Sequence, residues 1–223
     1  YGDGGVEQDD AQAADWFRRA LDSGYEESAY WLGLCAWNGR GMAEDRTAAV
    51  DWFRRAAEAG VVRAGFYLGL AAERGWGAEQ SGEEAARWYR WAAEQGDASS
   101  QYNLGWLYTR GEGVPAEEEQ AVAWFRRAAE QGDPIALEAF RYTGEMLGRA
   151  LADVVTVTSP QAIFLFGGLS KAGKLIFEPT QWYMEENMLF VFKNKVKLLP
   201  SGIQGKNAAI LGASALIWQE AAK

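Results

Sequence analysis

Three stretches of the sequence decide the fold: VDWFRRAAEAG at residues 50–60, ARWYRWAAEQG at 86–96 and VAWFRRAAEQG at 122–132. A shorter copy, ADWFRRAL, precedes them at 14–21. The tryptophans of the four copies follow one another every 36 residues, as Trp16, Trp52, Trp88 and Trp124. Self-similarity at one fixed period is the sequence signature of a repeat architecture.

Each 36-residue unit has the pattern of a helical hairpin. In the first helix, alanines at i−3 and i+4 share a helix face with the tryptophan. The glycine after AAEQ is typical of a left-handed helix C-cap. A second helix carries a Leu-Gly pair, and a G-x-G turn closes the unit; the pairs are Leu32-Gly33, Leu68-Gly69 and Leu104-Gly105. One hairpin is too small to bury its own apolar face, so the pattern predicts a mainly α protein, a right-handed α-solenoid of about four stacked hairpins.

These residues resemble the Sel-one-like repeat (SLR) family, a relative of the tetratricopeptide repeats. The resemblance rests on A-x-W-[FY]-x-x-A-A-x-x-G, then A-x-x-x-L-G, then G-x-G, and it covers roughly residues 2–133. GGV at 4–6 is similar to the tail of one more unit. The resemblance implies an adaptor scaffold that binds partner proteins or peptides on a concave surface, without catalysis.

Nine of the eleven tryptophans lie within the repeats. The four periodic ones are interpreted as repeat core, with a ligand-stacking box as the alternative interpretation. The other five do not recur at the period, and tryptophan is enriched in binding hot spots. They are therefore the candidate partner-binding residues: Trp31, Trp37, Trp76, Trp91 and Trp106. Packing is the competing role for most of them.

The composition excludes several classes of function. The 223 residues carry a net charge of −9, and residues 1–133 hold 13 Arg against 24 Asp and Glu. So acidic a segment repels nucleic acid and anionic membrane surfaces. The sequence has no histidine and a single cysteine, Cys35, which leaves too few zinc ligands and no internal disulfide. Because no window of 18 apolar residues and no signal-peptide pattern occurs, we expect a cytoplasmic protein without a membrane span.

The composition changes abruptly after the last AAEQGD, at residues 128–133. All seven lysines lie at or beyond Lys171, and all six isoleucines lie at or beyond Ile135. We therefore predict two domains of different origin, 1–133 and 134–223. Asp133 and Pro134 are the residue types of an N-cap and of a first helical turn.

The pattern of the second domain predicts helix, strand, helix, strand and helix. After a long first helix, AIFLF (162–166) has the apolar run of a buried strand. A helix is expected over roughly 173–187, KVKLL (195–199) is the second predicted strand, and NAAILGASALIWQEAA (207–222) is a closing apolar helix. If the two strands are parallel, they form a right-handed βαβ unit.

This segment resembles the C-terminal part of ROK family sugar kinases, especially glucokinases, over about residues 130–223. The similar stretches are LGRALADVVTVTSPQAIFLFGGLSKAG, EPTQWYMEENM and LLPSGIQGKNAAILGASALIW. The resemblance implies a truncated α/β half of the actin-like, RNase H-like fold, in which a glycine pair after a strand lies against the adenosine of ATP. By the same resemblance, Gly167 and Gly168, with Leu169 beside them, are the nucleotide-facing positions.

The rest of the kinase machinery has no counterpart in the sequence. The family's D-x-G-x-T phosphate hairpin, its catalytic Asp and its Cys-rich zinc motif are absent. Phosphoryl transfer depends on such phosphate-binding groups and on metal. We therefore expect no catalytic residue, no metal site and no cofactor, with ATP at Gly167 and Gly168 as the alternative to a plain turn without ligand.

The leading hypothesis is a non-enzymatic protein–protein interaction scaffold. It is a chimeric chain whose kinase-derived part is structural and whose solenoid binds a protein or peptide on its concave face. The alternative is a component of an ATP-dependent sugar kinase that retains part of the adenosine site. A third hypothesis is homodimerisation through exposed strand edges of the C-terminal segment. We also expect the last solenoid helices to cover the apolar face left open by the missing kinase half.

Overall fold

A computed structural model of the chain describes residues 9–165 and 167–201. The chain divides into two compact units, residues 1–117 and 118–223. Helices dominate the described ranges, which confirms a mainly α protein. None of these helices is both long enough and apolar enough to cross a membrane. The predicted boundary between 133 and 134 concerns the origin of the two segments and stays a prediction.

The first unit contains the predicted helical hairpins. Its helices are α1 (Asp10–Asp22), α2 (Ser28–Asn38), α3 (Arg46–Glu58), α4 (Val62–Arg74), α5 (Gly82–Glu94) and α6 (Ala98–Arg110). The first helix of each hairpin begins at a capping side chain that accepts a backbone N–H bond, namely Asp9, Asp45 and Ser81. The second helices end at Gly39, Gly75 and Gly111, all with φ near +68°, because only glycine enters the left-handed region without strain.

The core of the first unit lies where the second helix of one hairpin meets the first helix of the next. Phe53 of α3 and Tyr89 of α5 are completely buried. Their rings lie directly over Gly33 of α2 and Gly69 of α4, where an added Cβ would come within 2.6 and 2.5 Å of a ring carbon. The glycine of each Leu-Gly pair is therefore the hole that receives an aromatic ring from the following hairpin.

The second unit contains α7 (Glu118–Glu130), α8 (Pro134–Thr158), β1 (Ala162–Leu165), α9 (Lys174–Asn187) and β2 (Lys197–Pro200). Single-turn 3-10 helices occupy Leu169–Ala172 and Phe190–Phe192. The Asp133 carboxylate accepts hydrogen bonds from the backbone N–H groups of Ile135 and Ala136, and Pro134 occupies the first turn of α8. The predicted cap of this helix is thus confirmed.

Helices α8 and α9 form the main packing of the second unit. Two glycines one turn apart, Gly144 and Gly148, let α9 approach the α8 backbone. A Cβ at Gly148 would lie 2.6 Å from the Thr180 carbonyl oxygen and 2.8 Å from the Met184 amide nitrogen. No side-chain movement relieves such a contact, because the obstructing atoms belong to the helix backbone.

The two strands pair in parallel, the arrangement that a βαβ unit requires, with Ile163 opposite Leu198 and Phe164 opposite Leu199. Ile163 and Leu198 pack against a buried cluster from α8 and α9, whereas Phe164 on the opposite face is 55% exposed. The helix expected at 173–187 and the first strand are confirmed, and β2 begins two residues later than predicted. Residue 166 and the closing helix at 207–222 lie outside the described residues. An actin-like fold of this segment stays a prediction.

Candidate protein-interaction surface

The four periodic tryptophans do not share one environment. Trp124 is buried and Trp52 and Trp88 are half-buried, but Trp16 is 60% exposed. The prediction that Trp16 belongs to the core is therefore wrong. In α3 and α5 the fully buried aromatic is the residue after the tryptophan, Phe53 or Tyr89, whose ring covers a glycine of the preceding hairpin. In α7 the tryptophan itself, Trp124, is the buried aromatic.

Two of the five candidate partner-binding tryptophans pack inside the first unit. Trp37 is only 7% exposed, and its ring meets Phe53 and Tyr67 edge-on at 5.8 Å. Its placement at a surface is therefore wrong, since interior aromatics of the following hairpin pack against it. Trp91 is half-buried, and its ring covers Gly65 of α4. Packing is the role that the structure gives to both.

The other three candidates lie at the surface of the first unit: Trp31 is 49% exposed, and Trp76 and Trp106 are each 40% exposed. Trp31 stacks on Phe17 with ring centroids 5.7 Å apart. Aromatic groups that are held rigidly while remaining open to solvent are the usual anchors of a protein interface, because little conformational entropy is lost on binding.

Arginines hold two of these exposed rings in place. The Arg46 guanidinium lies between Trp37 and Trp76, at 4.8 and 4.3 Å from the ring centroids. Arg110 lies 5.8 Å from the Trp106 ring. Cation–π contacts of this kind are worth about 0.5–1 kcal/mol at exposed sites. They orient the tryptophans without covering them. The sequence signal for this arrangement is weak, since Arg46 and Trp76 are 30 positions apart.

No pattern in the sequence indicates the polar cluster that is centred on Glu73. The Tyr89 hydroxyl donates a hydrogen bond of 2.8 Å to one carboxylate oxygen, and the other lies 3.6 Å from Arg74 and 3.8 Å from Arg110. Burial, and then the nearby Glu73 carboxylate, raise the pKa of Tyr89. One hydrogen bond and two longer ion pairs thus join Glu73 to side chains of α4, α5 and α6, which indicates a role in packing these helices together.

The predicted nucleotide-facing residues lie in the second unit, at the turn after β1. Gly167 has φ +86° and open space around the position of a Cβ. A Cβ on Gly168 would lie 3.8 Å from a Glu118 carboxylate oxygen and 3.9 Å from Val122, so this side of the turn faces α7. Leu169 is half-buried in the 3-10 helix that packs on α7. A carboxylate beside the glycine pair is unfavourable for a phosphate-bearing ligand.

In residues 9–165 and 167–201, no three His, Cys, Asp or Glu side chains are placed to bind a metal ion. Cys35 is half-buried, and burial, with a further effect of Asp10, raises the pKa of its thiol. Little of it is thiolate near neutral pH, which makes it a poor nucleophile.

Comparison with known proteins identifies the repeats. The Sel1 repeat family model matches four consecutive segments, residues 1–25, 26–61, 63–97 and 98–133. The last segment includes α6 of the first unit and α7 of the second. A ROK-like region in the remaining residues is not shown by the family comparison, which matches Sel1 repeats alone. No curated protein matches the chain.

Solved structures of repeat proteins are similar to this chain, and two of them exceed a TM-score of 0.5. One is c5321, a protective antigen of uropathogenic Escherichia coli strains that displays an SLR fold, with 31% identity and a TM-score of 0.58 over 79% of this chain. The other is a Sel1 repeat protein from Oxalobacter formigenes, with 28% identity and a TM-score of 0.58 over 82% of this chain. The chain spans only 36% of the first structure and 70% of the second.

Proposed function

The chain belongs to the Sel1 repeat family, and on that premise we propose that it is a non-enzymatic scaffold, a cytoplasmic protein whose solenoid binds a protein or peptide on its concave face. Sel1 repeat proteins generally are protein-interaction scaffolds. The observation that carries the proposal is the set of rigid, solvent-open tryptophans on the repeats: Trp31, Trp76 and Trp106. Each is a large amphipathic group fixed by a neighbouring ring or guanidinium.

The charge of the repeats indicates which class of partner segment is expected to bind. Residues 1–133 carry 24 acidic and 13 basic side chains. A partner segment that is apolar and basic meets favourable long-range attraction on such a surface, whereas an acidic one is repelled. We therefore expect peptides with Arg or Lys beside an aromatic or aliphatic anchor to bind best.

The proposal is tested by selecting binders from a displayed library of random peptides on the full chain. The affinity of the best peptide is then measured by fluorescence anisotropy for the variants Trp31→Ala, Trp76→Ala and Trp106→Ala. Loss of a hot-spot tryptophan weakens binding by about tenfold or more. Trp182→Ala is the matched control, because Trp182 is 58% exposed but lies in the second unit. Failure to enrich any peptide, or an equal loss with Trp182→Ala, contradicts the proposal.

For residues 134–223, the proposed role is structural, as a segment derived from a ROK-type kinase. The resemblance of the quoted stretches supports the origin, and the position of Glu118 beside Gly168 supports the absence of nucleotide. Helix α7 packs on α8 and on the Leu169–Ala172 turn. This packing supports the proposal that a repeat helix covers the segment. The Lys171 ammonium pairs with Glu119 at 2.9 Å, and the Arg126 guanidinium donates to the Lys171 carbonyl.

Nucleotide binding by this segment has a direct test in thermal unfolding. A ligand that binds the folded state raises the unfolding midpoint by mass action. We expect Mg-ATP at millimolar concentration to leave the midpoint of the full chain unchanged, with and without glucose. A rise that Gly168→Glu abolishes supports the sugar-kinase alternative instead. Homodimerisation through the C-terminal segment stays a prediction, and light scattering over a dilution series measures it.

A further inference from the structure

A short apolar turn stands out from the second unit between α9 and β2. Its three consecutive side chains are more than half exposed, at 56% for Leu189, 89% for Phe190 and 57% for Val191. Large apolar side chains that are exposed singly are normal on a protein surface, whereas neighbouring ones form a patch that usually marks an interaction site. We call Leu189, Phe190 and Val191 the apolar tip.

The backbone of the apolar tip is fixed by a hydrogen bond and by buried neighbours. The Phe192 amide donates to the Leu189 carbonyl oxygen at 2.9 Å, within the single-turn 3-10 helix. Met188 before the tip and Val196 after it are each only 4% exposed and belong to one buried cluster, against which Phe192 packs. Both ends of the segment are therefore anchored in the core, while the three side chains between them face solvent.

Three lysines follow the apolar tip within six positions, namely Lys193, Lys195 and Lys197. Lys195 and Lys197 are exposed, and Lys193 is half-exposed. Residues 185–197 hold these three lysines and two glutamates, and both glutamates precede the tip, at the end of α9. One of them, Glu185, accepts a hydrogen bond of 2.8 Å from the Asn194 backbone N–H. The charge of this segment is therefore positive, although the net charge of the chain is −9.

An apolar tip beside lysines fits the surface of an anionic lipid bilayer. Apolar side chains are buried at the boundary between headgroups and acyl chains, while lysine ammonium groups on their long stems stay among the anionic headgroups. A stable protein complex buries about 800 Å² on each partner, of which three side chains supply only a part. A bilayer sets no such minimum, because lipids close around whatever side chain enters.

We propose that the apolar tip inserts into the surface of an anionic lipid bilayer, with Lys193, Lys195 and Lys197 among the headgroups. The two signals act together, because a short apolar insertion alone binds weakly and each lysine near an anionic surface changes the affinity by about fivefold. The repulsion expected of residues 1–133 is screened beyond about 8 Å in physiological salt. Peptide binding by the first unit involves other residues, so either proposal can fail alone.

The test is co-sedimentation of the full chain with vesicles made of two parts phosphatidylcholine and one part phosphatidylserine. We expect binding that weakens as the salt concentration rises and that is much weaker with phosphatidylcholine alone. Phe190→Asp should lower the affinity for the mixed vesicles by about tenfold or more. Lys195→Gln combined with Lys197→Gln should lower it by about 20-fold. Absence of binding to the mixed vesicles overturns the proposal.

Val191→Asp and Ile135→Asp form a matched pair, since both side chains are 57% exposed and both belong to the second unit. Ile135 lies in the first turn of α8, about 30 Å along the helix from Val155, which packs in the same buried cluster as Met188. We expect Val191→Asp to weaken vesicle binding and Ile135→Asp to leave it nearly unchanged. An equal loss in the two variants contradicts insertion through the tip.

Two further measurements show whether protein already covers the tip. Because the Phe190 ring is exposed, Phe190→Asp should leave the midpoint of thermal unfolding nearly unchanged. A marked fall shows that the ring packs within the protein and overturns the proposal. Light scattering over a dilution series compares the molecular mass of the same variant with that of the original chain. Equal masses support the proposal, and a dimer that Phe190→Asp dissociates overturns it.

Discussion

Both units use glycine to bring two helices together, but different atoms fill the space. In the first unit, Gly33 and Gly69 receive the rings of Phe53 and Tyr89, which are side chains. In the second, Gly148 receives the backbone of α9 itself. A ring-filled hole can be repeated along the chain, because each hairpin supplies both a ring and a hole. A backbone-to-backbone contact serves a single pair of helices, α8 and α9.

The two kinds of contact respond differently to substitution. A side chain that fills a hole can be shortened, so an added methyl group at Gly33 or Gly69 can be accommodated. A carbonyl oxygen in a helix cannot be removed, so the same methyl group in the second unit displaces the helix. The following changes, from the largest effect to the smallest, measure that difference.

Removing an interior ring from the first unit has the largest effect. Phe53→Ala leaves an empty hole at Gly33 and is expected to lower the free energy of unfolding by about 4 kcal/mol. Phe17→Ala is the control with the same chemistry in α1, and about 2 kcal/mol is expected because its ring is only partly covered. Urea denaturation followed by circular dichroism gives both values. Equal losses at the two positions would show that α1 is packed like α3.

In the second unit, Gly148→Ala is expected to cost about 3 kcal/mol through overpacking. The higher helix propensity of alanine works in the opposite direction by about 1 kcal/mol. Hydrogen exchange of α8 and α9 peptides measures the loss within this unit. Ala150→Leu, on the exposed side of α8, is the control and should change little. A gain in stability from Gly148→Ala would refute the close backbone contact.

The sharpest distinction between the units is rescue. Gly69→Ala alone is expected to cost about 1–2 kcal/mol, because its Cβ meets the Tyr89 ring. In the Tyr89→Ala background the same change should be neutral or stabilising, since the ring is gone. In contrast, Tyr183→Ala should not rescue Gly148→Ala, because the Thr180 and Met184 backbone atoms remain. Double-mutant cycles measured by urea denaturation give both coupling energies. Rescue of Gly148→Ala by Tyr183→Ala would contradict the proposed difference between the two units.

The smallest effect comes from the ion pair between Glu26 and Arg55. Two hydrogen bonds of 2.6 and 2.9 Å join the groups, and the bond to Arg55 holds the pKa of Glu26 below its ordinary value of 4.5. A carboxyl group whose pKa is lower in the folded state than in the unfolded state stabilises the fold at pH values above its unfolded-state pKa. That contribution is lost as the pH falls through the folded-state pKa. Glu26→Gln should therefore lose a little stability at pH 7 and nothing at pH 2, relative to wild type. Glu27→Gln is the control, because it removes the same charge from a neighbouring position. If stability depended on pH in the same way in Glu26→Gln and Glu27→Gln, the assignment of the effect to the Glu26–Arg55 pair would be contradicted.

The sequence predicted much of the fold because the repeat carries redundant signals. The 36-residue spacing located each hairpin, and Asp133 with Pro134 predicted the start of α8. It did not distinguish the tryptophan of a first helix from the aromatic residue after it. In α3 and α5 the residue after the tryptophan is fully buried, whereas in α7 the tryptophan itself is buried, so packing against neighbouring helices decides which of the two is covered.

The candidate protein-interaction surface was predicted only in part, because contacts between hairpins decide which tryptophans are buried. Burial of Trp37 depends on rings from the following hairpin, Phe53 and Tyr67, which no local pattern announces. The Glu73 cluster joins residues from three helices, so spacing along the chain gave no hint of it. The position of Gly168 against Glu118 depends on packing between segments 50 residues apart. The sequence therefore indicates the residue types at these contacts but not the direction in which the helices pack on one another.

The most direct measurement is a calorimetric titration of the full chain with a peptide selected on it, in the presence and absence of millimolar Mg-ATP and glucose. We expect one binding site whose affinity for the peptide falls with Trp76→Ala or Trp106→Ala, is unchanged by Trp182→Ala and does not respond to the nucleotide and sugar. Absence of peptide binding together with consumption of ATP and glucose would contradict a non-enzymatic scaffold.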